Sequence, residues 1–195
     1  MMKNLNWALA AVAALVSAGC AAPTLQAQWH DPSLPQAYLR GAKVLVACEA
    51  GELVLKQICE DQLSAGLTQR GAVPVRATGG ADAASARAAG AKAALSVGVT
   101  VAVQSVSSGV QIGIGIGGFG GGYGGGAGGG VGVSAPVGGG RVSNGYTANA
   151  RIGDAVGERL MWTAQAGTPP SSDLNAQMAE LARALLDAAA QAGMF

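Results

Sequence analysis

The chain has 195 residues, enough for one domain with a buried core. Half of them are hydrophobic but only 4% are aromatic and 12% charged, so elements can pack closely while each contact buries little area. Twelve Lys and Arg against eleven Asp and Glu leave no basic stripe for nucleic acid, and a single histidine leaves few metal ligands.

The N-terminus carries one charge, Lys3, followed by an uncharged apolar stretch from Trp7 to Val16 and then Ser17-Ala18-Gly19-Cys20. A basic start, a short apolar middle and small residues before a cut form a secretory signal, too short to span a bilayer. Cys20 after Ala-Gly resembles the lipobox of bacterial lipoproteins, with Ser17 where Leu is usual. That resemblance implies that the thiol is diacylated and that Cys20 becomes the mature N-terminus. Ala21 follows, where an Asp would favour inner-membrane retention, so the resemblance implies the outer membrane, facing the periplasm. Several acyl chains, each contributing about 0.8 kcal/mol per buried methylene, make such anchoring effectively permanent. Residues 1–19 are thus expected to be a signal peptide. Residues 20–40, with Pro23, Pro32 and Pro35, read as a membrane tether.

One domain is expected over residues 41–193. Val44 to Cys48 is a compact apolar run, a buried strand, and a helix follows with Leu55, Ile58, Cys59, Leu63 and Leu67 on one face. Arg70 suits its last turn and Gly71 its left-handed stop. Cys48 at the strand end and Cys59 about two turns into the helix lie level with each other. In an oxidising periplasm they are within reach of a disulfide, and two small buried thiols are the alternative. Ala72 to Ala77 is a short strand that Pro74 assigns to an edge, and Ala81 to Ala89 is a weak helix stopped by Gly90.

The sharpest periodicity comes next. Ala93, Leu95, Val97, Val99, Val101 and Val103 alternate with small or polar residues, which describes a long strand with one buried face. Ser107-Ser108-Gly109 turns it, Val110, Ile112, Ile114 and Ile116 alternate again, and residues 113–140 form a Gly-rich hairpin or loop. Tyr146, Ala148, Ala150 and Ile152 form a further strand, Asp154 to Gly157 a turn, and Leu160, Trp162 and Ala164 the last strand. Pro169 and Pro170 lead into an amphipathic helix with Leu174, Met178, Leu181 and Leu185 inward and Ser172 or Asp173 at its cap. The expected fold is α+β: one mixed, mostly antiparallel sheet with helices on one face, an early strand-helix-strand unit and a C-terminal helix.

Lys43-Val44-Leu45-Val46, Cys59-Glu60-Asp61-Gln62-Leu63 and Leu67-Thr68-Gln69-Arg70-Gly71, with Tyr146 to Ile152 and Leu160-Met161-Trp162, resemble small proteobacterial outer-membrane lipoproteins of unknown function. The resemblance implies fold and location, and its motifs are structural rather than catalytic. The long glycine segment departs from that pattern.

Chemistry is sparse. Nucleophilic hydrolysis needs a base beside the nucleophile, and the only histidine, His30, stands far in sequence from Ser64 and the cysteines. Adjacent Glu60 and Asp61 point to different sides of a helix, and Glu60 is expected to face solvent or to pair with a neighbouring cation. Gly113-Ile114-Gly115-Ile116-Gly117-Gly118 lacks the helix that a dinucleotide fingerprint requires. No metal, cofactor or catalytic residue is therefore assigned.

The function expected is a non-enzymatic, lipid-anchored periplasmic lipoprotein that binds or scaffolds envelope components. Its partners would be membrane lipid through acylated Cys20, and an envelope protein or a second copy along an edge strand. The alternative is a subunit of an oligomeric envelope pore or assembly working through the Gly-rich hairpin. An envelope hydrolase is a third reading, requiring a cleft that gathers His30, Asp154 and Ser143 or Ser172.

Overall fold

A computed structural model describes residues 23–106 and 142–195. Cys20, the Ser107 to Gly109 turn and the Gly-rich stretch of residues 113–140 lie outside the described residues. Nine elements follow in order: β1 (Thr24–His30), β2 (Lys43–Glu49), α1 (Leu53–Gln69), β3 (Val73–Arg76), α2 (Ala83–Ala88), β4 (Ala93–Val106), β5 (Val142–Asp154), β6 (Leu160–Gly167) and α3 (Leu174–Gln191). The six strands form one mixed sheet in the order β1-β6-β5-β4-β2-β3. β2 runs parallel to β3 and to β4, and the remaining pairs are antiparallel. This is an α+β fold with the early strand-helix-strand unit and the closing helix in place.

Strand alternation decides where the core sits. Val44, Val46, Leu95, Val97, Val99, Ile152 and Trp162 point to one face, where they meet Leu63 and Leu67 of α1 and Leu181 and Leu185 of α3. Leu45 and Ala94 alternate to the other face and pack on Ala86 of α2. Helices were expected on one face only, and α2 is the exception. The chain steps from β2 to β3 through α1, then back across β2 to β4 through α2. Two right-handed crossovers in opposite directions place their helices on opposite faces.

The helix ends follow local rules. Asp173 caps α3 by accepting from the Ala176 N–H at 2.9 Å. Gly71 and Gly193, at φ +78° and +81°, end α1 and α3. The Ala72 N–H then closes on the Leu67 carbonyl and the Met194 N–H on that of Ala189, each at 3.0 Å. Helices α1 and α3 meet closely at Gly66, where a Cβ would lie 2.5 Å from Leu186 Cδ1.

Two sequence expectations change. The segment of residues 20–40, expected as a tether, supplies β1 over Thr24–His30, an edge strand paired with β6 from Thr24↔Gly167 to His30↔Trp162. Pro23 and Pro32 bracket this strand rather than interrupting it. Its continuation is also part of the domain: Leu39 is fully buried and its N–H donates to the Met194 carbonyl at 2.8 Å. The buried alternation of β4 stops earlier than expected. Val99 is buried but Val101 is 48% exposed, because β4 and β5 run on as a ribbon, paired as far as Val106↔Val142.

Leu63, 1% exposed between the sheet and α3, tests this packing. Leu63→Ala is expected to lower unfolding free energy by about 2–5 kcal/mol, read by denaturant titration.

Candidate functional site

Among the described residues, a cleft of about 510 Å³ lies on the α2 side of the sheet. Its floor comes from alternating residues that point away from the main core, Ser96 of β4 and Arg151 of β5, which are directly paired. Glu49, Asp82 and the turn after β5 form its walls. Most of the charge in these walls is already committed. Asp82 accepts from the Ser85 N–H at 2.6 Å, which with other local hydrogen bonds holds its carboxyl below the usual range. Glu158 pairs with Arg87 at 2.9 Å and Arg159 with Asp31 at 3.3 Å.

Asp154, buried at one wall, is a structural carboxylate. Its Oδ2 accepts from the Gly157 N–H at 2.6 Å and holds the β5–β6 turn, while Oδ1 accepts from the Tyr38 hydroxyl at 3.2 Å. Burial, then the Asp154 charge, push the Tyr38 hydroxyl above its ordinary value, so it stays a donor. Lys92 lies over the Tyr38 ring, 3.6 Å from its centroid, and its Nζ donates to the Tyr38 carbonyl at 2.8 Å. This cluster fixes the β1–β2 connection to the sheet.

The hydrolytic reading required His30 and Ser143 or Ser172 beside Asp154. The cleft lining includes Asp154 alone of these, and His30 is exposed at the end of β1. Among the described residues, no group of three His, Cys, Asp or Glu converges as metal ligands.

Cys48 and Cys59 are joined through their sulfurs, with Cα atoms 6.2 Å apart, and both are buried in the main core. The bridge ties the end of β2 to α1, and Glu60 reinforces the same junction. Glu60 was expected to face solvent or to pair with a cation. The second alternative holds: Lys56, one turn earlier, lies 3.9 Å from its Oε1, although the Glu60 side chain is buried rather than at the surface. Its Oε1 also accepts from the Cys48 N–H at 3.3 Å. The reason is geometric. The Cys48 N–H points to the same side of β2 as the Val46 carbonyl, which receives Ala77 N–H from the β3 side. Since β3 ends at Arg76, the next donor along that side has no strand partner, and the Glu60 carboxylate supplies one.

The sheet ends in two edges of different character. At β3, Pro74 removes one donor and the Arg76–Asp61 ion pair crowds the edge. At β1, all seven residues are exposed, Trp29 at 48%. Sequence reasoning missed this edge, although Leu25, Ala27 and Trp29 alternate with Gln26 and Gln28 in period two. No helix among the described residues is long and apolar enough to cross a membrane.

Family models and curated protein sequences provide no match to the chain. Its fold is similar to that of the PelC dodecamer from Paraburkholderia phytofirmans, at TM-score 0.51 and 14% identity over 89% of this chain and 99% of that one. A variant of the same dodecamer matches at TM-score 0.51 and 14% identity over 86% of this chain and 96% of that one. The lipoprotein GNA1162 from Neisseria meningitidis matches at TM-score 0.45 and 16% identity, over 77% of this chain and 99% of that one.

Mass mapping without reductant is expected to recover the Cys48 and Cys59 peptides as one linked species. With a sequence separation of 11, reduction should lower unfolding free energy by about 3 kcal/mol. Free thiols at both positions in the isolated protein would contradict the bridge.

Proposed function

We propose that this chain is a lipid-anchored, non-enzymatic subunit of the bacterial cell envelope, tethered to the outer membrane through acylated Cys20 and acting as a scaffold. The observation that carries this reading is the run Lys3 to Cys20, a signal ending in a lipobox-like cysteine only a few residues before β1. The domain itself supports a passive role. Most of the charge lining the cleft beside α2 is already engaged within the protein, and the buried carboxylates hold a turn and a strand end.

Self-assembly is the mode of scaffolding that we favour, because the fold is similar to that of a protein that forms a dodecamer. The open β1 edge offers unpaired backbone groups and Trp29 without the proline or ion pair that blunts β3. Copies would join through this edge, with a scaffold larger than a monomer as the product. An assembly subunit acting through the Gly-rich stretch of residues 113–140 is the second reading, supported by the pairing of β4 with β5, the two strands between which that stretch falls in sequence.

Detergent-extracted native protein should have the mass of a discrete oligomer by light scattering on a sizing column. A Gln28→Pro change, which removes an outward-facing backbone donor from the edge, should shift it toward monomer without unfolding it. A monomer in the native protein would contradict self-assembly. In cell fractionation, the native protein should band with outer membranes and Cys20→Ser should not; identical distributions would contradict the anchor.

A further inference from the structure

The strand directions give the domain a defined membrane-proximal end. Thr24, where β1 begins, pairs with Gly167, which pairs with Thr147, which pairs with Thr100. β2 also finishes toward this end, at Glu49↔Gly98, so α1 starts here before running back along the sheet. The chain between Cys20 and Thr24 can span at most about 14 Å. Whatever membrane Cys20 enters must therefore lie close to this end of the sheet.

The same end exposes apolar side chains that the fold leaves without partners. Leu53 and Val54, the first two residues of α1, are 69% and 59% exposed. Leu25 of β1 is 44% exposed, and Val101 stands where β4 leaves the helix layer. The β4–β5 pair continues beyond Thr100 in the same direction, backed by Ser171 as far as Gln104↔Asn144, and its last pairs run on about 7 Å to Val106 and Val142.

We infer that this end of the sheet is a lipid-contacting surface, with Leu53 and Val54 seated at the bilayer interface and the β4–β5 ribbon directed into it. The inference rests on the acylation of Cys20 proposed above. Apolar burial drives the contact. Among the described residues at this end, Glu49, Glu52 and Asp173 outnumber Lys56, which leaves no basic surplus to recruit anionic headgroups. The acyl anchor supplies the proximity, and the exposed side chains set the orientation of the domain.

The test uses the mature protein reconstituted in vesicles of phosphatidylethanolamine and phosphatidylglycerol whose acyl chains are brominated. Brominated lipid quenches tryptophan emission on contact, and the unsubstituted protein supplies the blank for Trp29 and Trp162. The emission added by Leu53→Trp and by Val54→Trp should fall at least about twofold, in low and high salt alike. Val156→Trp, on the exposed turn at the opposite end, should be unaffected. Protein that floats with the vesicles while Leu53→Trp is quenched no more than Val156→Trp overturns this orientation and leaves the anchor intact. Protein that fails to float overturns both.

Discussion

The long strand β4 is the constraint from which the rest of this structure follows. It pairs in parallel with β2 on one side and antiparallel with β5 on the other, from Ala93↔Asp154 to Val106↔Val142. Its alternation sends Leu95, Val97 and Val99 into the core under α1 and α3, and Ser96 to the cleft on the other face. A slip of one residue in this register would exchange those faces and expose the core set. The position of β4 between the parallel strands β2 and β3 on one side and the antiparallel strands β5, β6 and β1 on the other also fixes the crossovers, and through them the face that each helix covers.

That strand was the clearest feature of the sequence for the same reason. A side-chain period of two over a long stretch has few structural alternatives, and the amphipathic period of Leu174, Met178, Leu181 and Leu185 is equally specific. What periodicity could not convey was partnership. β1 is short, exposed on every residue and flanked by prolines, so its membership in the sheet depends on β6, not on local pattern. Val101 looks like its buried neighbours along the strand, and only the extent of the helix layer decides that it is exposed. Glu60 is buried for a similar reason, since a donor left beyond the end of β3 is visible only once the sheet is assembled.

The chemistry of the domain is conservative. Asp154, Glu60 and Asp82 each spend their carboxylates on backbone N–H groups, holding a turn, a strand end and a helix cap. The Cys48–Cys59 bridge fastens the strand-to-helix junction. These groups make a small, Ala-rich core hold one shape although each apolar contact is modest. Among the described residues, the β1 edge and the end of the sheet where β1 begins expose side chains without such internal partners. In the functional reading favoured here, the interior supplies rigidity while the edge and the tethered end supply the interactions.

The covalent anchor is the claim on which address, orientation and function all depend, and the intact mass of the mature protein purified from membranes tests it most directly. The account requires a chain beginning at Cys20 and carrying a diacylglyceryl group together with a further acyl chain. A mature chain that begins elsewhere, or that begins at Cys20 with no added lipid mass, would contradict it.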